Sequence, residues 1–522
     1  MSYRVCILTA GIGSRLGAMT QYLNKSLVSI ANRPILSLLI EQFPKDVEFV
    51  IALGHKGHLV REFLTLAYSQ RKFFFAEVAT FEGPESGLGL SLLACKQHLQ
   101  QPFVFLSCDT LVREPIPAPD HNWMGYADGK NLQQYRTLKL VNKMVTTIYE
   151  KGEGEIGTHQ PYIGLAGIFE YRDFWLAMEQ GEMQAVKVGE VFGLNSLLNK
   201  KLTGHRFTWH DTGNPESLAL ARLTYQDANA PNILEKANEA IWFVDESVIK
   251  FSDDEKFIAN RIKRSHELCD FIPEVTGSGR NMYRYSAVKG KVLSEVITKP
   301  LFERLLMYCK TFWQPRTLDA AASKNFYDNC LRFYRDKTLE RVELFYKNFK
   351  LQDGDEAING IEMPRLETLL NSLDWHWIAE GIPSRFHGDF HFENIIWTAE
   401  NQHFTFLDWR QDFGGDLVTG DVYYDLAKLL HGLIINHELI SKDFFKVEWK
   451  ENEIDYDFHR KQKLVECEKY FDRWLESEGY DRKKVWILTG MIYLNIAALH
   501  HYPYSLLLFT LGKIILFKEL EK

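Results

Sequence analysis

The chain has 522 residues, of which 46% are hydrophobic and 25% charged, so it can form about two or three globular domains, each with its own core. Its formal net charge of -8 argues against a nucleic-acid-binding protein, because such proteins usually carry a basic face. The seven cysteines are scattered without a C-x-x-C pair, so we expect no structural zinc and a reducing, cytoplasmic location.

The ends of the chain carry no predicted targeting or membrane segment. Glycines and Arg15 interrupt the first 17 residues, which lack the apolar run of a signal peptide. Residues 485–499 are uncharged, and a later apolar run is interrupted by Lys513. Both are shorter than the roughly 20 residues that span a bilayer, so we expect buried helices there.

The first 220 residues alternate short β-rich runs with helical stretches. Residues 4–9 (RVCILT), 48–53 (EFVIAL) and 102–107 (PFVFLS) have the composition of buried strands. This alternation predicts an α/β, Rossmann-like domain with a mixed, mainly parallel sheet. Ligands of such sheets bind at the carboxyl ends of the strands.

The pattern changes at residues 225–232 (YQDANAPN), which we predict to be a linker. Short β-rich runs follow at 240–244, 248–251 and 282–288, and the chain is mostly helical from residue 299, apart from a loop-and-strand region at 385–412. A small β lobe before a larger helical lobe is typical of bilobal, kinase-like α+β folds. We therefore predict two domains, residues 1–225 and 233–522.

A glycine-rich loop follows the first predicted strand, in residues 8–17 (LTAGIGSRLG). Gly11 and Gly13 let the backbone approach a ligand, and the free N–H groups of such a loop suit phosphate oxygens. Arg15 and Lys25 add cationic donors. The spacing fits neither the Walker A loop nor the dinucleotide-binding fingerprint.

Two acids follow in this half of the chain. Asp109 ends an apolar strand, where a carboxylate without a partner is costly. Asp211 lies before a turn and a helix, where it could also serve as a helix cap. Together the two acids could hold Mg²⁺ on a triphosphate. The flexible loop 83–89 (GPESGLG), which contains Glu85 and Gly87, could lie against a nucleotide base.

Residues 1 to about 222 resemble the nucleotidyltransferases that activate sugar 1-phosphates or phosphocholine. The resemblance rests on a G-x-G-[ST]-R-[LM] loop with a following lysine, two metal-binding aspartates and a glycine-containing strand, supplied here by Gly11, Gly13, Ser14, Arg15, Leu16, Lys25, Asp109, Asp211 and Gly164. Asn24 stands where family members usually have proline.

The resemblance implies a direct displacement, in which an acceptor phosphate attacks the α-phosphorus of an NTP and pyrophosphate leaves. Arg15 and Lys25 would offset the phosphate charge, and Asp109 and Asp211 would hold Mg²⁺. The nucleotide-binding residues would be Gly11, Gly13, Ser14, Glu85 and Gly87.

A second constellation begins at residues 386–394 (FHGDFHFEN). Asp389 and Asn394 have the spacing of a kinase catalytic loop, in which the aspartate meets the acceptor hydroxyl and the asparagine reaches a metal. Asp408 ends the next strand, in FTFLDWR, where it would hold Mg²⁺ against a triphosphate.

These motifs, with GDVYYDLA at 420–427, resemble the aminoglycoside phosphotransferase and choline kinase family. The resemblance spans roughly residues 233–522, and it implies an ATP-dependent kinase for a small molecule, with Asp389 catalytic and Asn394 and Asp408 as metal ligands. Lys250, in VIKF, matches the lysine that pairs with ATP phosphates. The glycine-rich loop that should precede this lysine is missing.

A kinase makes a phosphate monoester and a nucleotidyltransferase consumes one, so the fusion predicts consecutive steps. The acceptor would be a small alcohol such as choline, ethanolamine or a polyol, with ATP and then CTP, in precursor synthesis for surface polysaccharide or lipid. One alternative is a sugar kinase acting at the anomeric hydroxyl, paired with a uridylyl- or guanylyltransferase. Another is a working nucleotidyltransferase with a non-catalytic, kinase-like binding module. The sequence leaves a homo-oligomer open.

Overall fold

The computed structural model describes residues 2–129, 132–226 and 236–522. It divides into two compact units, Met1–Ile258 with Val275–Ala287, and Ala259–Glu274 with Val288–Lys522. Of the predicted linker, only residues 225 and 226 lie within the described part of the chain. The two domain ranges therefore stay a prediction.

The first unit contains a large mixed sheet and several smaller sheets. Its strands are β1 (Arg4–Leu8), β2 (Ser29–Ile30), β3 (Arg33–Pro34), β4 (Glu48–Leu53), β5 (Phe73–Glu77), β6 (Phe103–Ser107), β7 (Thr110–Val112), β8 (Trp123–Tyr126), β9 (Thr137–Val141), β10 (Met144–Tyr149), β11 (His159–Ile168), β12 (Thr203–Arg206), β13 (Trp209–Asp211), β14 (Glu239–Val244), β15 (Ser247–Ser252), β16 (Val275–Ser278) and β17 (Met282–Ser286). Its helices are α1 (Ile35–Ile40), α2 (Gly57–Ala67), α3 (Leu88–Cys95), α4 (Tyr171–Gln180), α5 (Glu182–Val188), α6 (Glu190–Asn195) and α7 (Pro215–Thr224).

The large sheet has the order β5-β4-β1-β6-β11-β8-β12-β10-β9. The four strands β5, β4, β1 and β6 are parallel, as is the pair β8 and β12, whereas the other pairings are antiparallel. The sheet is thus mixed, and its parallel character is concentrated in the N-terminal strands. Leu8 lies opposite both Ala52 and Ser107, so the loops that follow β1 and β6 leave the same edge of the sheet.

A smaller antiparallel sheet, of order β14-β15-β17-β16, belongs to this same unit. Trp242 is fully buried, and its ring lies 5.2 Å from the ring of Phe63 on α2. The Trp242 indole also donates a 3.0 Å hydrogen bond to Ser29 Oγ. Val244, Ile249 and other residues of this sheet share one hydrophobic core with the large sheet. The bilobal arrangement predicted for the kinase-like half stays a prediction.

The second unit is mainly helical. Helix α8 (Glu255–Glu267) continues into it from the first unit, and its other helices are α9 (Leu293–Val296), α10 (Lys299–Phe312), α11 (Ala320–Leu331), α12 (Lys337–Phe349), α13 (Leu366–Asn371), α14 (Trp375–Ala379), α15 (Val422–Ile434), α16 (His437–Ser441), α17 (Gln462–Ser477), α18 (Arg482–Ala497) and α19 (Tyr504–Leu520). Its short strands are β18 (Lys291–Val292), β19 (Glu356–Ile358), β20 (Ile361–Met363), β21 (Pro383–Ser384), β22 (Ile395–Thr398), β23 (His403–Phe406), β24 (Gly420–Asp421), β25 (Phe445–Lys450) and β26 (Glu453–Phe458).

Every residue of α15 is buried, which places this helix in the centre of the second unit. The two apolar stretches near the C-terminus form α18 and α19, and they pack against each other and bury most of their residues. Lys513 on α19 is 1% exposed and pairs with Glu356 at 2.7 Å, so its charge is matched inside the core. None of the helices in the described ranges is long and apolar enough to cross a membrane.

Candidate active sites

The first site lies where the loops after β1 and β6 meet. Lys25 Nζ lies 3.0 Å from Asp109 Oδ2, and Ser107 Oγ donates to the other carboxylate oxygen. Burial raises the pKa of Asp109, but the Lys25 charge and the two hydrogen bonds outweigh burial and lower that pKa to about 2. Asp109 is therefore an ionised, part-buried carboxylate at neutral pH.

Asp211 lies about 100 residues further along the chain than Asp109 and reaches the same site. Strand β13 pairs antiparallel with β7, so Asp211 lies opposite Thr110, the residue after Asp109. The Gly213 N–H donates to Asp211 Oδ1 at 2.8 Å, and the Tyr135 hydroxyl donates to Oδ2 at 3.1 Å. Burial and the adjacent Asp211 charge raise the pKa of Tyr135 to about 12, so this phenol remains a hydrogen-bond donor at neutral pH.

Gly213 marks the point around which the first site is arranged. A Cβ atom added there would lie 3.0 Å from Asp211 Oδ1, 3.1 Å from Arg15 Nη2 and 3.1 Å from Asp109 Oδ2. The two carboxylates and the guanidinium therefore surround one small space that glycine leaves open. This arrangement brings together Arg15, Lys25, Asp109 and Asp211, the four residues that the sequence predicts for phosphate and metal binding.

Asn24 explains how Lys25 is positioned without the usual proline. Its side-chain amide donates to the carbonyls of Thr9 and His55 at 2.8 and 2.7 Å. Its Oδ1 accepts from the N–H of Ser26 and so caps the 3₁₀ turn that begins at Lys25. Three hydrogen bonds thus fix the turn that presents Lys25.

The glycines of the first site differ in whether and why the local backbone requires glycine. Gly13 has a φ of 72°, and a Cβ there would lie 2.8 Å from Lys25 Cβ. Gly11 has no atom within 4 Å of such a position, so nothing in the protein itself requires glycine there. Gly87 lets α3 approach α5, because its Cβ would lie 2.4 Å from the Val186 carbonyl oxygen. Ser14 and Glu85 are exposed, and the nucleotide-binding roles of these residues stay predictions.

The second site is centred on Asp389. Lys428 Nζ, on the buried helix α15, lies 2.8 Å from Asp389 Oδ1, and His391 Nε2 lies 3.6 Å from Oδ2. Asn394 Nδ2 donates to the Asp389 main-chain carbonyl at 3.0 Å and to Oδ2 at 3.3 Å. Burial raises the pKa of Asp389, but Lys428 and His391 hold it well below its usual range. Asp389 also raises the pKa of His391 to about 9, against the effect of burial.

Asp425 holds the backbone of the loop that carries Asp389. Its carboxylate accepts from the N–H groups of His387 and Gly388, both at 2.7 Å, and from the Trp313 indole at 3.1 Å. Burial lowers the pKa of His387 to about 3, so its ring is neutral. Because the His387 Nε2–H donates to the Leu407 carbonyl at 2.8 Å, the ring also ties the Asp389 loop to the segment that leads to Asp408.

Asp408 lies at the end of the segment after β23 and has a φ of 59°. Arg261, on α8, donates to Asp408 Oδ1. Asn394 uses its Nδ2 for Asp389, which leaves its Oδ1 as an oxygen donor. Carboxylate and amide oxygens are ligands of the kind that Mg²⁺ prefers, so Asn394 and Asp408 fit this ion, as do Asp109 and Asp211 in the first site.

Within the described parts of the chain, no group of three or more His, Cys, Asp or Glu side chains is placed to hold a metal ion. Lys250 is buried on β15 in the first unit, opposite Ile241 and Tyr283, and its ATP-binding role stays a prediction. The turn before it, between β14 and β15, comprises only Asp245 and Glu246.

Sequence reasoning missed several residues that the fold brings to these sites. Ser107 and Tyr135 contact the two acids of the first site, and Lys428 and Arg261 contact the two acids of the second. Lys428 could have been identified from the sequence, because a lysine three residues after Asp425 on an apolar helix needs an acidic partner when it is buried.

Comparisons with known proteins found one family match and several relatives. Residues 317–446 match the model of the phosphotransferase enzyme family, APH. The bifunctional protein GlmU of Methanococcus vannielii is 24% identical over 223 residues, which cover 40% of this chain and 51% of the relative. GlmU of Methanococcus maripaludis is 22% identical over 219 residues, with the same coverage. The chain thus spans about half the length of these curated relatives.

Among solved structures, UDP-glucose pyrophosphorylase from Acinetobacter baumanii is 14% identical, with a TM-score of 0.36 over 43% of this chain and 93% of that one. A UDP-glucose pyrophosphorylase complexed with UDP-glucose is 13% identical, with a TM-score of 0.38 over 43% of this chain and 98% of that one. Residues 317–446 therefore match the phosphotransferase enzyme family, and the N-terminal region is similar to GlmU.

Proposed function

We propose that the chain is a bifunctional transferase that phosphorylates a small hydroxyl compound with ATP and then transfers a nucleotidyl group to the new phosphate. One observation carries this proposal. Each unit holds an ionised aspartate at hydrogen-bonding distance from a lysine, Asp109 with Lys25 and Asp389 with Lys428, beside further oxygen donors suited to Mg²⁺. The matches to a phosphotransferase family and to GlmU support a transferase.

In the kinase step, the acceptor hydroxyl oxygen forms a bond to the γ-phosphorus of ATP, and the bond from that phosphorus to the β–γ bridging oxygen breaks. Asp389 accepts a hydrogen bond from the hydroxyl, orients it and takes up its proton as the new bond forms. Lys428 and Asn394 fix the Asp389 carboxylate in place. The products are a phosphate monoester and ADP.

In the nucleotidyl step, an oxygen of that monoester forms a bond to the α-phosphorus of an NTP, and the α–β bridging bond breaks to release pyrophosphate. Arg15 and Lys25 offset the charge of the reacting phosphates. No protein nucleophile is required.

A magnesium ion would be held by Asp109 and Asp211 in the first site and by Asn394 and Asp408 in the second, where it would neutralise phosphate charge. Further ligands would come from the nucleotide. In both steps the residues of the chain itself position the reactants and exclude alternative orientations.

The finer assignment extends the same proposal. The acceptor would be choline, ethanolamine or a polyol, the second nucleotide CTP, and the product a precursor for surface polysaccharide or lipid made in the cytoplasm. Sugar phosphorylation at the anomeric hydroxyl, followed by transfer from UTP or GTP, is the alternative pairing. The short turn between β14 and β15, where kinases have a glycine-rich loop, instead favours a non-catalytic, kinase-like binding module.

The test is ³¹P NMR of the full chain with Mg²⁺, ATP and CTP, UTP or GTP, against a panel of amino alcohols, polyols and sugars. We expect a monoester signal that gives way to a pyrophosphate-linked product. Asp389→Asn should abolish the monoester but still convert supplied phosphate esters, whereas Asp109→Asn should let the monoester accumulate. If no free alcohol is phosphorylated and Asp389→Asn changes nothing, the second unit is a binding module.

A further inference from the structure

A strongly basic pocket of about 190 Å³ lies in the second unit. Nine residues line it, of which none is anionic and four are cationic, namely Lys337, Arg341, Arg410 and Lys428. For a chain whose net charge is -8, such a concentration of positive charge is a local specialisation.

The pocket adjoins the catalytic carboxylate. Lys428 forms part of its wall and also contacts Asp389 at 2.8 Å. Arg410 follows Asp408 by two residues, and its main-chain N–H donates to the His387 carbonyl in the catalytic loop at 2.9 Å. A molecule bound in the pocket would therefore lie beside the groups that we assign to phosphoryl transfer.

Most of this positive charge is not neutralised by the protein. Among the residues that the structure describes, Asp389 pairs with Lys428, but no carboxylate pairs with Lys337 or Arg341, which lie one turn apart on α12. Lys337 Nζ lies 4.2 Å from the centre of the Phe333 ring. Burial, followed by repulsion from Arg410, Lys428 and Arg341, holds the pKa of Lys337 well below its usual range. Like charges gathered in this way are stabilised by a bound anion.

The remaining wall adds a polar and an apolar contact. Asn495 Oδ1 is buried and has no hydrogen-bond partner among the described residues, so it is an acceptor available to a ligand hydroxyl. Ile492, Ile496 and Leu499 form an apolar surface of α18 and the turn after it. The pocket thus offers an anion-binding end, one hydrogen-bond acceptor and an apolar wall.

We infer that the acceptor phosphorylated by the second unit carries a negatively charged group, a carboxylate or a phosphate, which Lys337, Arg341 and Arg410 bind. This inference rests on the proposed kinase function. Within the proposed kinase step, it replaces the alcohol acceptors named above by acidic hydroxyl compounds, such as a hydroxy acid, a sugar acid or a sugar phosphate. It disfavours choline and ethanolamine, whose positive charge the same side chains would repel.

Binding is tested first with inorganic phosphate, the minimal anion, by isothermal titration calorimetry on the full chain. Arg341→Gln should weaken one phosphate-binding component at least about tenfold, because a charge-assisted hydrogen bond is lost. Arg473→Gln, an exposed arginine on α17, is the matched control and should change nothing. Thermal unfolding checks that both variants fold. Equal phosphate binding by Arg341→Gln and the wild type would overturn the inference.

The acceptor class is then tested with ATP and compounds matched in skeleton: glycerol, glycerate and glycerol 3-phosphate, then glucose, glucuronate and glucose 6-phosphate, with choline as the cation. We expect turnover of an acidic member, and Arg341→Gln should raise its KM but not the KM of ATP. Comparing the carboxylate compounds with the phosphate compounds shows which anionic group the pocket binds. A higher KM for ATP alone would assign the cations to the nucleotide and overturn the inference.

The two proposals fail separately. If a neutral or cationic acceptor is phosphorylated with the same KM by Arg341→Gln and the wild type, the proposed kinase function is supported and the inferred anion site is wrong. If no acceptor is phosphorylated while Arg341→Gln still weakens phosphate binding at least about tenfold, the anion site is supported and the proposed kinase function is wrong.

Discussion

Replacing Lys428 by Met should change how the kinase step depends on pH. Lys428 Nζ lies 2.8 Å from Asp389 Oδ1, and its charge is the main influence that lowers the pKa of this carboxylate against burial. Methionine fills similar space without the charge. We expect the Asp389 pKa to rise, because burial is then opposed only by the weaker neighbours that remain, chiefly His391.

The size of the shift follows from the geometry. An opposite charge this close typically lowers a carboxylate pKa by about 1–3 units. Asp389 is 38% exposed, and His391 stays at 3.6 Å, so solvent screening places the expected rise toward the lower end of that range. At 1.36 kcal/mol per unit, the expected loss of stability is on the order of 1–3 kcal/mol. Because the folded pKa of Asp389 is depressed, the stability that the pair provides is present above the unfolded pKa and is lost as pH falls through the folded pKa.

The assay is kcat/KM of ATP-dependent phosphorylation as a function of pH, with the acceptor that the NMR panel identifies. The acid limb of the variant should lie at higher pH than that of the wild type. Urea unfolding should show the largest loss of stability near neutral pH and a smaller loss in acid. Lys324→Met, an exposed lysine on α11, is the matched control. Superimposable acid limbs for wild type and Lys428→Met would refute the reasoning.

Three further predictions concern other parts of the molecule. Gly213→Ala should reduce nucleotidyl transfer at least about tenfold without affecting phosphorylation, because its Cβ enters the space between three charged groups 3.0–3.1 Å away. The matched control is Gly354→Ala, which has open space around it and should leave both activities unchanged in the same assays. Asn24→Pro introduces the residue that the family resemblance predicts at this position but removes the amide N–H groups that donate to two carbonyls, so thermal unfolding should show a loss of about 1–3 kcal/mol. Lys513→Met should cost about 3–5 kcal/mol in urea unfolding, because it leaves Glu356 buried and unpaired, and the added change Glu356→Gln should recover part of that loss.

The local part of this protein could be predicted from its sequence. Strands that are apolar throughout, such as β1 and β6, indicate their own burial, and an acid at the end of such a strand indicates a partner. The sequence predicts Asp109 as a site residue on that ground, and Lys25 supplies the partner. The spacing of Asp389 and Asn394 likewise predicts a kinase-like loop, and in the structure a hydrogen bond at 3.3 Å joins the two side chains.

Contacts between distant segments could not be predicted in the same way. Nothing near Tyr135 in the chain indicates that its hydroxyl contacts Asp211, since that contact depends on the pairing of β13 with β7. The basic pocket has the same origin, because its cations come from α12, α15 and the segment after β23, which only the packing of the second unit brings together. Residues that are ordinary in sequence acquire a role through tertiary packing.

The sharing of one core between the small sheet and the large one limits how this chain can be divided. A chain shortened at residue 225 would keep Phe63 but lose Trp242, whose ring packs against it, and would expose apolar surface to water. The strands beyond the predicted linker thus act as structural scaffolding for the region before it. Gene fission at that point would produce two proteins of which at least the first is incomplete, so mutations in the strands around Trp242 should destabilise the first unit.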